Sequence, residues 1–375
     1  MHVVALHLLN FRNYARLDLE LPRGPLVVHG GNAQGKSNLL DAVHILATGR
    51  SLRGGPEAAW INVDAPDAAH FARVRAQVQA AASEEHLELI VARTSAGGGV
   101  RRRVRIGGAA RRLADLPGRL QAVSFAPADL TLLTGPPRER RRWLDMALAQ
   151  LDRDYVAALA DFDVVLTRRN ALLRRIRAGQ ARPQELDFWD ARLAPLADRI
   201  VRRRQAFAEA LQPLLAAEYA QITDDPTLTL GYAATATGAH PSDFVEALRQ
   251  ARSADIERGA TSLGPHRDDL VLHLRAHPLA SFGSRGQLRL AGVALKLAQF
   301  ELAQRRTGER PVLLLDDVTA ELDPHHRRLL LERLAPAAQT IITTADPAGL
   351  DAPMLGEATW LLVEGGRIRA TNAPA

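Results

Sequence analysis

The stretch GGNAQGKSNLL (residues 30–40) decides the fold. Its first eight residues fit the pattern G-x-x-x-x-G-K-S. They follow the short apolar run PLVV and precede Leu39, Leu40, Val43 and Leu46 at helical spacing. A strand, a glycine-rich loop and a helix in this order are the context of a phosphate-binding loop, in which backbone N–H groups at a helix start converge on phosphate oxygens. The alternative is a chance glycine-rich turn. We predict that nucleotide phosphates contact Gly30, Gly31, Asn32, Ala33, Gln34, Gly35, Lys36 and Ser37.

Lys36 is one of only two lysines in a chain whose 48 basic residues are otherwise arginine. A lysine ammonium is a compact charge on a thin stem, whereas a planar guanidinium needs a fork of acceptors and more room. We therefore expect Lys36 to reach between the β- and γ-phosphates of ATP. The hydroxyl of Ser37, the next residue, is the expected ligand of Mg²⁺.

The run VLLLDD (residues 312–317) supplies the acidic partner that such a loop needs. Four apolar residues that end in an acid predict a buried strand delivering a carboxylate to the metal. Asp316 is expected to hold Mg²⁺ through water, and Asp317 to orient or deprotonate the attacking water. The alternative is an ordinary core strand with a polar end.

Two further motifs flank the acidic strand. SRGQ (residues 284–287) begins a predicted helix, where a hydroxyl lies beside free N–H groups, and AELD (residues 320–323) follows the acids. Alone each motif is weak. The order of loop, SxGQ helix, acidic strand and xELD turn resembles the ATP-binding-cassette and SMC class of ATPases. That resemblance implies that Ser284, Gly286 and Gln287 bind the γ-phosphate held by a second subunit.

Composition limits the class of protein. The chain has 375 residues, 47% of them hydrophobic, and no cysteine, which excludes a disulfide framework and a thiolate nucleophile or metal site. The absence of cysteine suits a reducing cytosol, so we expect a cytoplasmic protein. We expect no membrane span and no membrane partner, because no apolar run reaches about 18 residues. The net charge is +6, and residues 1–120, with 16 bases and 10 acids, carry the excess. A phosphate-rich partner suits this distribution.

Periodicity divides the chain into three parts. Residues 1–122 have the alternating pattern of antiparallel strands, with one helix near residues 35–48. Residues 123–257 have helical spacing. Strands return in residues 258–375, separated by helices near residues 286–307 and 325–334. Pro195 and Pro213 are expected to kink or break the longest helical stretch. The predicted fold is of the α/β class: an ATP-binding-cassette/SMC-like ATPase head with a mixed sheet, interrupted by an all-helical arm.

Five segments resemble the RecF family of bacterial recombination mediators: LLNFRNY, NAQGKSNLLDAV, SFAPADLTLLTGPPRERRRWLDM, TSLGPHRDDL and SRGQLRLAGVALKLAQ. The resemblance covers nearly the whole chain. It implies a weak ATPase that uses ATP and Mg²⁺ and forms an ATP-dependent homodimer on double-stranded and gapped DNA. It also implies action with RecO and RecR to load RecA in repair, replication restart and SOS induction. A transporter subunit and a plain P-loop phosphotransferase are the competing hypotheses.

The sequence departs from that class at two places. Asp317 stands where many members carry glutamate, and this shorter side chain suits slow hydrolysis. The switch histidine that follows the next strand is absent from ITTAD, which leaves Thr344 or Asp346 as its replacement. His266, in GPHRDD, is assigned either a structural or a nucleotide-proximal role.

Arginine clusters are the candidate DNA contacts. One cluster alternates along a predicted strand and can bind phosphates without reading sequence, although a solvated face is an equal alternative. A second cluster shares a helix face inside a family motif. The candidates are Arg101, Arg103, Arg105, Arg138, Arg141 and Arg142.

Overall fold

The computed structural model describes residues 1–64, 70–94, 99–126, 129–236, 240–317, 323–334, 337–347, 350, 355 and 357–372. The chain forms two compact units. The head unit comprises Met1–Leu130 and Arg289–Ala375, and the arm unit comprises Thr131–Leu288.

The strands of the described residues, in chain order, are β1 (His2–Phe11), β2 (Tyr14–Glu20), β3 (Gly24–His29), β4 (Phe71–Gln79), β5 (Glu84–Arg93), β6 (Val100–Ile106), β7 (Ala109–Arg111), β8 (Ala122–Phe125), β9 (Leu228–Ala233), β10 (Asp269–Leu274), β11 (His277–Pro278), β12 (Val312–Asp316), β13 (Gln339–Thr344), β14 (Thr359–Glu364) and β15 (Arg367–Thr371). The α-helices are α1 (Lys36–Thr48), α2 (Asp129–Thr134), α3 (Pro137–Ala149), α4 (Arg153–Arg177), α5 (Leu186–Thr223), α6 (Pro241–Arg258), α7 (Leu279–Phe282), α8 (Arg285–Thr307) and α9 (Pro324–Leu334).

One sheet of the head unit is wholly antiparallel, in the order β2-β1-β4-β5-β6-β7. Its strands alternate as the sequence does: along β4, Ala72, Val74 and Ala76 are buried while Arg73 and Arg75 are exposed. The pairing confirms the antiparallel strands that short spacing and glycine-rich turns predict.

The second sheet of the head unit is mixed, in the order β15-β14-β3-β13-β12-β8. β14, β3, β13, β12 and β8 run parallel, and β15 pairs antiparallel at one edge. β3 leads into the glycine-rich loop and β12 ends at Asp316, with β13 between them. Because parallel strands end at the same edge of a sheet, the loop and the acids emerge side by side. The mixed sheet confirms the predicted fold class.

Helix α1 packs between the two sheets, and its residues join one hydrophobic core with residues of both. The sequence predicts one apolar face. The structure instead buries every residue from Leu39 to Thr48, including Asp41 and His44. Sheets on both sides of a helix leave no face for solvent.

The arm unit differs from the predicted all-helical arm. Beside its helices it holds a three-stranded antiparallel sheet, β11-β10-β9. The boundaries expected at residues 122 and 257 fall instead at 130 and 288. β8 stays with the head because it pairs with β12, and the segment after residue 258 joins the arm because β10 pairs with β9.

Both prolines of the longest helix are accommodated within it. α5 runs through Pro195 and Pro213 as one element of 38 residues, so of the expected kink or break, the break does not occur. Packing along its length decides the outcome, since Leu193, Ala194, Ala197, Leu211 and Leu215 are all buried. None of the helices in the described residues combines the length and the apolarity that a membrane-spanning segment requires.

Candidate nucleotide-binding site

The phosphate-binding loop follows β3 and has an unusual backbone. Gly30 (φ 145°), Ala33 (φ 63°) and Gly35 (φ 118°) all lie at positive φ. A Cβ on Gly30 would collide with the carbonyl oxygen of Val363. Glycine is therefore required at the start of the loop by conformation and by space. Gly31, Asn32 and Ala33 form the exposed rim, while Gly35 is buried.

Lys36 lies across this loop. Its Nζ donates to the carbonyl oxygens of Gly30 and Gly31, both at 2.7 Å, and the residue is only 7% exposed. Burial lowers the pKa of the ammonium, and the negative charges of Asp317 and Asp316 oppose that shift. The structure thus brings the lysine and the two predicted acids into one electrostatic site.

The start of α1 is open to an anion. Gly35 is the N-cap, and no side chain caps the helix. The first N–H groups of a helix have no partner within it, so they are available to phosphate oxygens. Ser37, in the first turn, is partly buried. These features fit the phosphates of a nucleotide.

The acids lie at the end of β12, as predicted. Asp316 Oδ1 accepts a hydrogen bond from the hydroxyl of Thr343 at 2.9 Å. Asp317 adopts φ 54°, and its Oδ1 is buried with no hydrogen-bond partner among the described residues. A buried carboxylate oxygen without a donor is costly unless a ligand or water satisfies it. This orphaned oxygen fits a site for a hydrated metal ion or an attacking water.

Thr343 is a site residue that the sequence reasoning missed. It lies fully buried on β13, between the loop strand and the acidic strand. Its neighbour Thr344, named as a candidate switch residue, has its hydroxyl engaged with the backbone N–H and carbonyl of Asp346, both at 3.0 Å. The strand order alone would have revealed Thr343, because its place beside Asp316 depends on the pairing of β12 with β13.

The SRGQ motif forms a capping box at the start of α8, in the arm unit. The N–H of Ser284 donates to Gln287 Oε1 at 2.9 Å, and the N–H of Gln287 donates to Ser284 Oγ at 3.2 Å. Gly286 is exposed, and among the described residues a Cβ there would meet only Ser284 Oγ, at 3.9 Å. Packing within the chain explains the serine and the glutamine but not the glycine.

The AELD motif falls largely outside the described residues, since only Asp323 of its four positions is described. Asp323 accepts hydrogen bonds from the N–H groups of His325 and His326 at the start of α9. Hydrogen bonds from His326 lower the pKa of this exposed carboxyl to about 2.

The predicted arginine stripe lies on β6 of the antiparallel sheet. Arg101, Arg103 and Arg105 are all exposed. The register adds two arginines that the sequence reasoning missed, because Arg73 pairs with Ile90 opposite Arg103, and Arg75 pairs with Glu88 opposite Arg105. The alternation of arginine with buried residues in FARVRAQVQ is the sequence signal that could have identified these two arginines.

A groove of about 690 Å³ lies over this part of the sheet, and none of the described residues that line it is acidic. The lining residues are Phe71, Arg73, Ile90, Ala92, Arg93, Thr94, Arg101 and Arg103. The arrangement is suited to an anionic polymer.

The helix arginines are placed differently from expectation. Arg138 is exposed, but Arg141 is partly buried and its Nη1 donates to the carbonyl oxygen of Asp268 at 2.7 Å. Arg142 is also partly buried. Arg140, which the sequence reasoning did not single out, binds both carboxylate oxygens of Asp269 at 2.8 Å. This face of α3 therefore holds the arm unit together.

The motif TSLGPHRDDL belongs to a buried polar network of the arm unit. Arg169, fully buried, donates to Asp190, Asp255 and the Thr261 hydroxyl. Arg204, 2% exposed, donates to the carbonyl oxygen of Pro265.

His266 also lies within this network. Its Nε2 lies 3.0 Å from the Thr261 carbonyl oxygen, and burial lowers its pKa. These contacts within the arm give His266 a structural role.

Comparison with known proteins agrees with this geometry. The family model described as RecF/RecN/SMC N terminal domain matches residues 2–353. An Smc head bound to the C-terminal winged-helix domain of ScpA shares the fold, with a TM-score of 0.54 at 15% identity. The fold and the site define an ATP-binding head of the SMC class.

Comparison with individual relatives identifies the family within this class. The DNA replication and repair protein RecF of Herpetosiphon aurantiacus is 42% identical over 98% of this chain and 99% of its own. That of Gloeobacter violaceus is 40% identical over the full length of both. A structure of the recombination mediator protein RecF with ATP in the RecFOR pathway covers 99% of this chain and 97% of its own, with a TM-score of 0.89 at 27% identity. The chain belongs to the RecF family of DNA replication and repair proteins.

Proposed function

We propose that the protein is an ATP-dependent, DNA-binding recombination mediator. Its ATP-bound homodimer closes on duplex or gapped DNA and, with RecO and RecR, promotes RecA loading in repair, replication restart and SOS induction. One observation carries the proposal: the same head unit holds a phosphate-binding loop facing two acids and, on its other sheet, an arginine face. Nucleotide state and DNA contact can be linked through such a unit.

Within the nucleotide site, each residue has a distinct task. Lys36 and the N–H groups at the start of α1 bind phosphate oxygens. Ser37 and Asp316 would hold Mg²⁺, which when bound neutralises phosphate charge. Asp317 orients the attacking water and accepts its proton, since its buried Oδ1 has no hydrogen-bond partner among the described residues. Its side chain is one methylene shorter than glutamate, which favours weak hydrolysis and a switch over rapid turnover.

Dimerisation depends on the start of α8. Ser284, Gly286 and Gln287 face the γ-phosphate held by the second subunit. Among the described residues, a Cβ on Gly286 would meet only Ser284 Oγ, at 3.9 Å, so packing does not require glycine there. Because a glycine inside a helix costs stability, its presence supports a role in the close approach of a ligand. A two-fold interface repeats the contact at both sites.

DNA contact is assigned to the arginine face of the antiparallel sheet. Arg101, Arg103 and Arg105 lie exposed along one strand, with Arg73 and Arg75 two strands away. Contacts from arginine to backbone phosphate position a protein on DNA without reading sequence. On α3, Arg138 is exposed and Arg142 partly buried, and both remain candidate contacts, whereas Arg141 is committed to a carbonyl of the arm.

Sedimentation velocity tests the proposal directly. The protein is run without nucleotide, with ATP and Mg²⁺, and with ATP, Mg²⁺ and gapped, duplex or single-stranded DNA. We expect a monomer without nucleotide, a dimer with ATP, and co-sedimentation of the dimer with gapped and duplex DNA. RecO and RecR are then added to the gapped complex. A chain that stays monomeric with ATP, or binds DNA equally well without nucleotide, would contradict the proposed clamp.

A further inference from the structure

Two turns from two different sheets meet at Gln34, the residue that precedes the Gly-Lys-Ser of the loop. The first is the turn at Arg12 and Asn13, which joins β1 to β2 in the antiparallel sheet. The second is the turn at Gly365 and Gly366, which joins β14 to β15 in the mixed sheet. Both turns donate hydrogen bonds to Gln34, so residues outside the loop hold the loop in place.

Asn13 makes the central contacts of the first turn. Its Nδ2 donates to the carbonyl oxygen of Gln34 at 2.8 Å, and its Oδ1 accepts from Asn38 Nδ2 at 2.7 Å. The amide thus bridges the loop and the first turn of α1. The two bonds use opposite ends of the amide, so they fix which end faces Gln34.

The residues on either side of Asn13 strengthen the attachment. The hydroxyl of Tyr14, fully buried, donates to the carbonyl oxygen of Gly35 at 2.9 Å. Arg12 donates through Nε and Nη2 to the buried carboxylate of Asp41 on α1. Three successive residues therefore hold the loop and its helix at successive points.

The second turn closes around the same residue. The N–H of Gly365 donates to Gln34 Oε1 at 2.7 Å, and the N–H of Gly366 donates to the Gln34 carbonyl at 3.2 Å. Gly366 has φ 76°, and a Cβ there would press on the backbone carbonyl of Asn13. The Gln34 carbonyl accepts from both turns, which are themselves in close contact.

We propose that Asn13 is a positioning residue for ATP binding. It acts through the main chain of Gln34 and Gly35, not by touching the nucleotide. The loop passes through left-handed conformations at Ala33 and Gly35, and such conformations persist only when their surroundings hold them. Without the donor on Asn13, the N–H groups ahead of Lys36 lose their alignment, and the free loop samples states that bind phosphate less well.

Two substitutions of Asn13 and one control test the inference. Asn13→Ala removes both hydrogen bonds. Asn13→Asp keeps an acceptor for Asn38 but replaces the donor facing Gln34 with a negative oxygen. Asn62→Ala is the matched control: Asn62 is buried, its N–H donates to the carbonyl oxygen of Asn10 near the same turn, and its Oδ1 accepts from the N–H of Asp64, a bond outside the loop. Dissociation constants for ATP and ADP are measured by titration calorimetry, and the midpoint of thermal unfolding is measured without nucleotide.

We expect Asn13→Ala to weaken ATP and ADP binding by the same factor, about five- to tenfold, the effect of losing the one hydrogen bond of Asn13 that reaches the loop. Asn13→Asp should weaken both at least as much. Asn62→Ala should lower the unfolding midpoint and leave both dissociation constants unchanged.

Two outcomes would overturn the inference: ATP affinity within twofold of wild type in Asn13→Ala, or wild-type affinity in Asn13→Asp. Failure of the wild-type protein to bind ATP would instead contradict the proposed function, so the two failures are distinguishable.

Discussion

The hydroxyl of Thr343 donates to Asp316 Oδ1 across 2.9 Å, from the strand that lies between the phosphate-binding loop and the acidic strand. The same hydroxyl oxygen accepts from the N–H of Asp317 at 3.2 Å. One buried side chain thus orients the carboxylate expected to hold the metal and the backbone of the expected base. Hydrogen bonds of this kind fix a carboxylate in its binding geometry before the metal arrives.

Thr343→Val tests this arrangement. Valine has nearly the same shape but no hydroxyl, so the hydrogen bond to Asp316 is lost. That bond contributes about 1 kcal/mol to holding the carboxylate in place. We expect the Mg²⁺ concentration for half-maximal ATP hydrolysis to rise about fivefold. The matched control is Thr340→Val, a buried threonine earlier on the same strand. Equal effects of the two substitutions would assign the loss to strand packing and not to Asp316.

Lys36→Arg keeps the charge and changes the shape. A guanidinium does not fit where Nζ lies 2.7 Å from two loop carbonyls, so ATP binding should weaken by about 1.5–3 kcal/mol. The control is Lys296→Arg, since Lys296 is the only other lysine, is 4% exposed, and pairs with Asp129 at 3.0 Å. Calorimetric titration with ATP compares the two variants. Wild-type affinity in Lys36→Arg would refute the geometric reason for a lysine.

Asp317→Asn separates binding from hydrolysis. The amide occupies the same volume and tolerates the positive φ of this position, but it cannot accept a proton from water. We expect ATP and Mg²⁺ binding to persist and steady-state hydrolysis to fall by at least about 100-fold. The ATP-bound dimer should then last longer on DNA. An unchanged turnover would move the base elsewhere, with Asp346 the next candidate.

Gly286→Ala distinguishes a helix cap from an interface. No described residue opposes a methyl group there, so better helix propensity should stabilise the monomer by up to about 1 kcal/mol. If the start of α8 meets ATP held by a second subunit, the methyl should weaken ATP-dependent dimerisation while ATP binding to the monomer is kept. Thermal unfolding and sedimentation on the same protein report both effects. Unaltered dimerisation would leave SRGQ as a capping box alone.

Replacing Arg101, Arg103 and Arg105 together by alanine tests the arginine face. A plot of the logarithm of DNA affinity against the logarithm of salt concentration should have a negative slope, with about 0.9 contributed by each phosphate contact. The triple variant should reduce the size of that slope by up to about 3. The control replaces Arg174, Arg175 and Arg177, three exposed arginines at the end of α4. Anisotropy titrations of duplex DNA over a salt series measure the slope. A slope unaltered by the first change would mark the stripe as solvated.

The sequence by itself determined the local features of this protein. The loop at residues 30–37, the helix α1 that follows it and the acids that end β12 are each written in a short run, because glycine conformation, helix periodicity and a buried strand depend on neighbours in the chain. The bounds of α8 and α9 follow from the same local patterns. Family motifs then connected these pieces to one class of ATPase.

Only the tertiary structure decided which residues contact one another. The side chain of Thr343 reaches Asp316, and Asn13 reaches Gln34, through strand order and the contact of two turns, which no local pattern encodes. Arg101 and Arg141 are both arginines in basic runs. Yet one is exposed on strand β6 and the other is bound to a carbonyl of the arm. The β9–β10 pairing likewise drew residues 258–288 into the arm unit. Burial and hydrogen-bond partners come from distant segments, so the sequence named the chemical groups and the packing of the chain chose their roles.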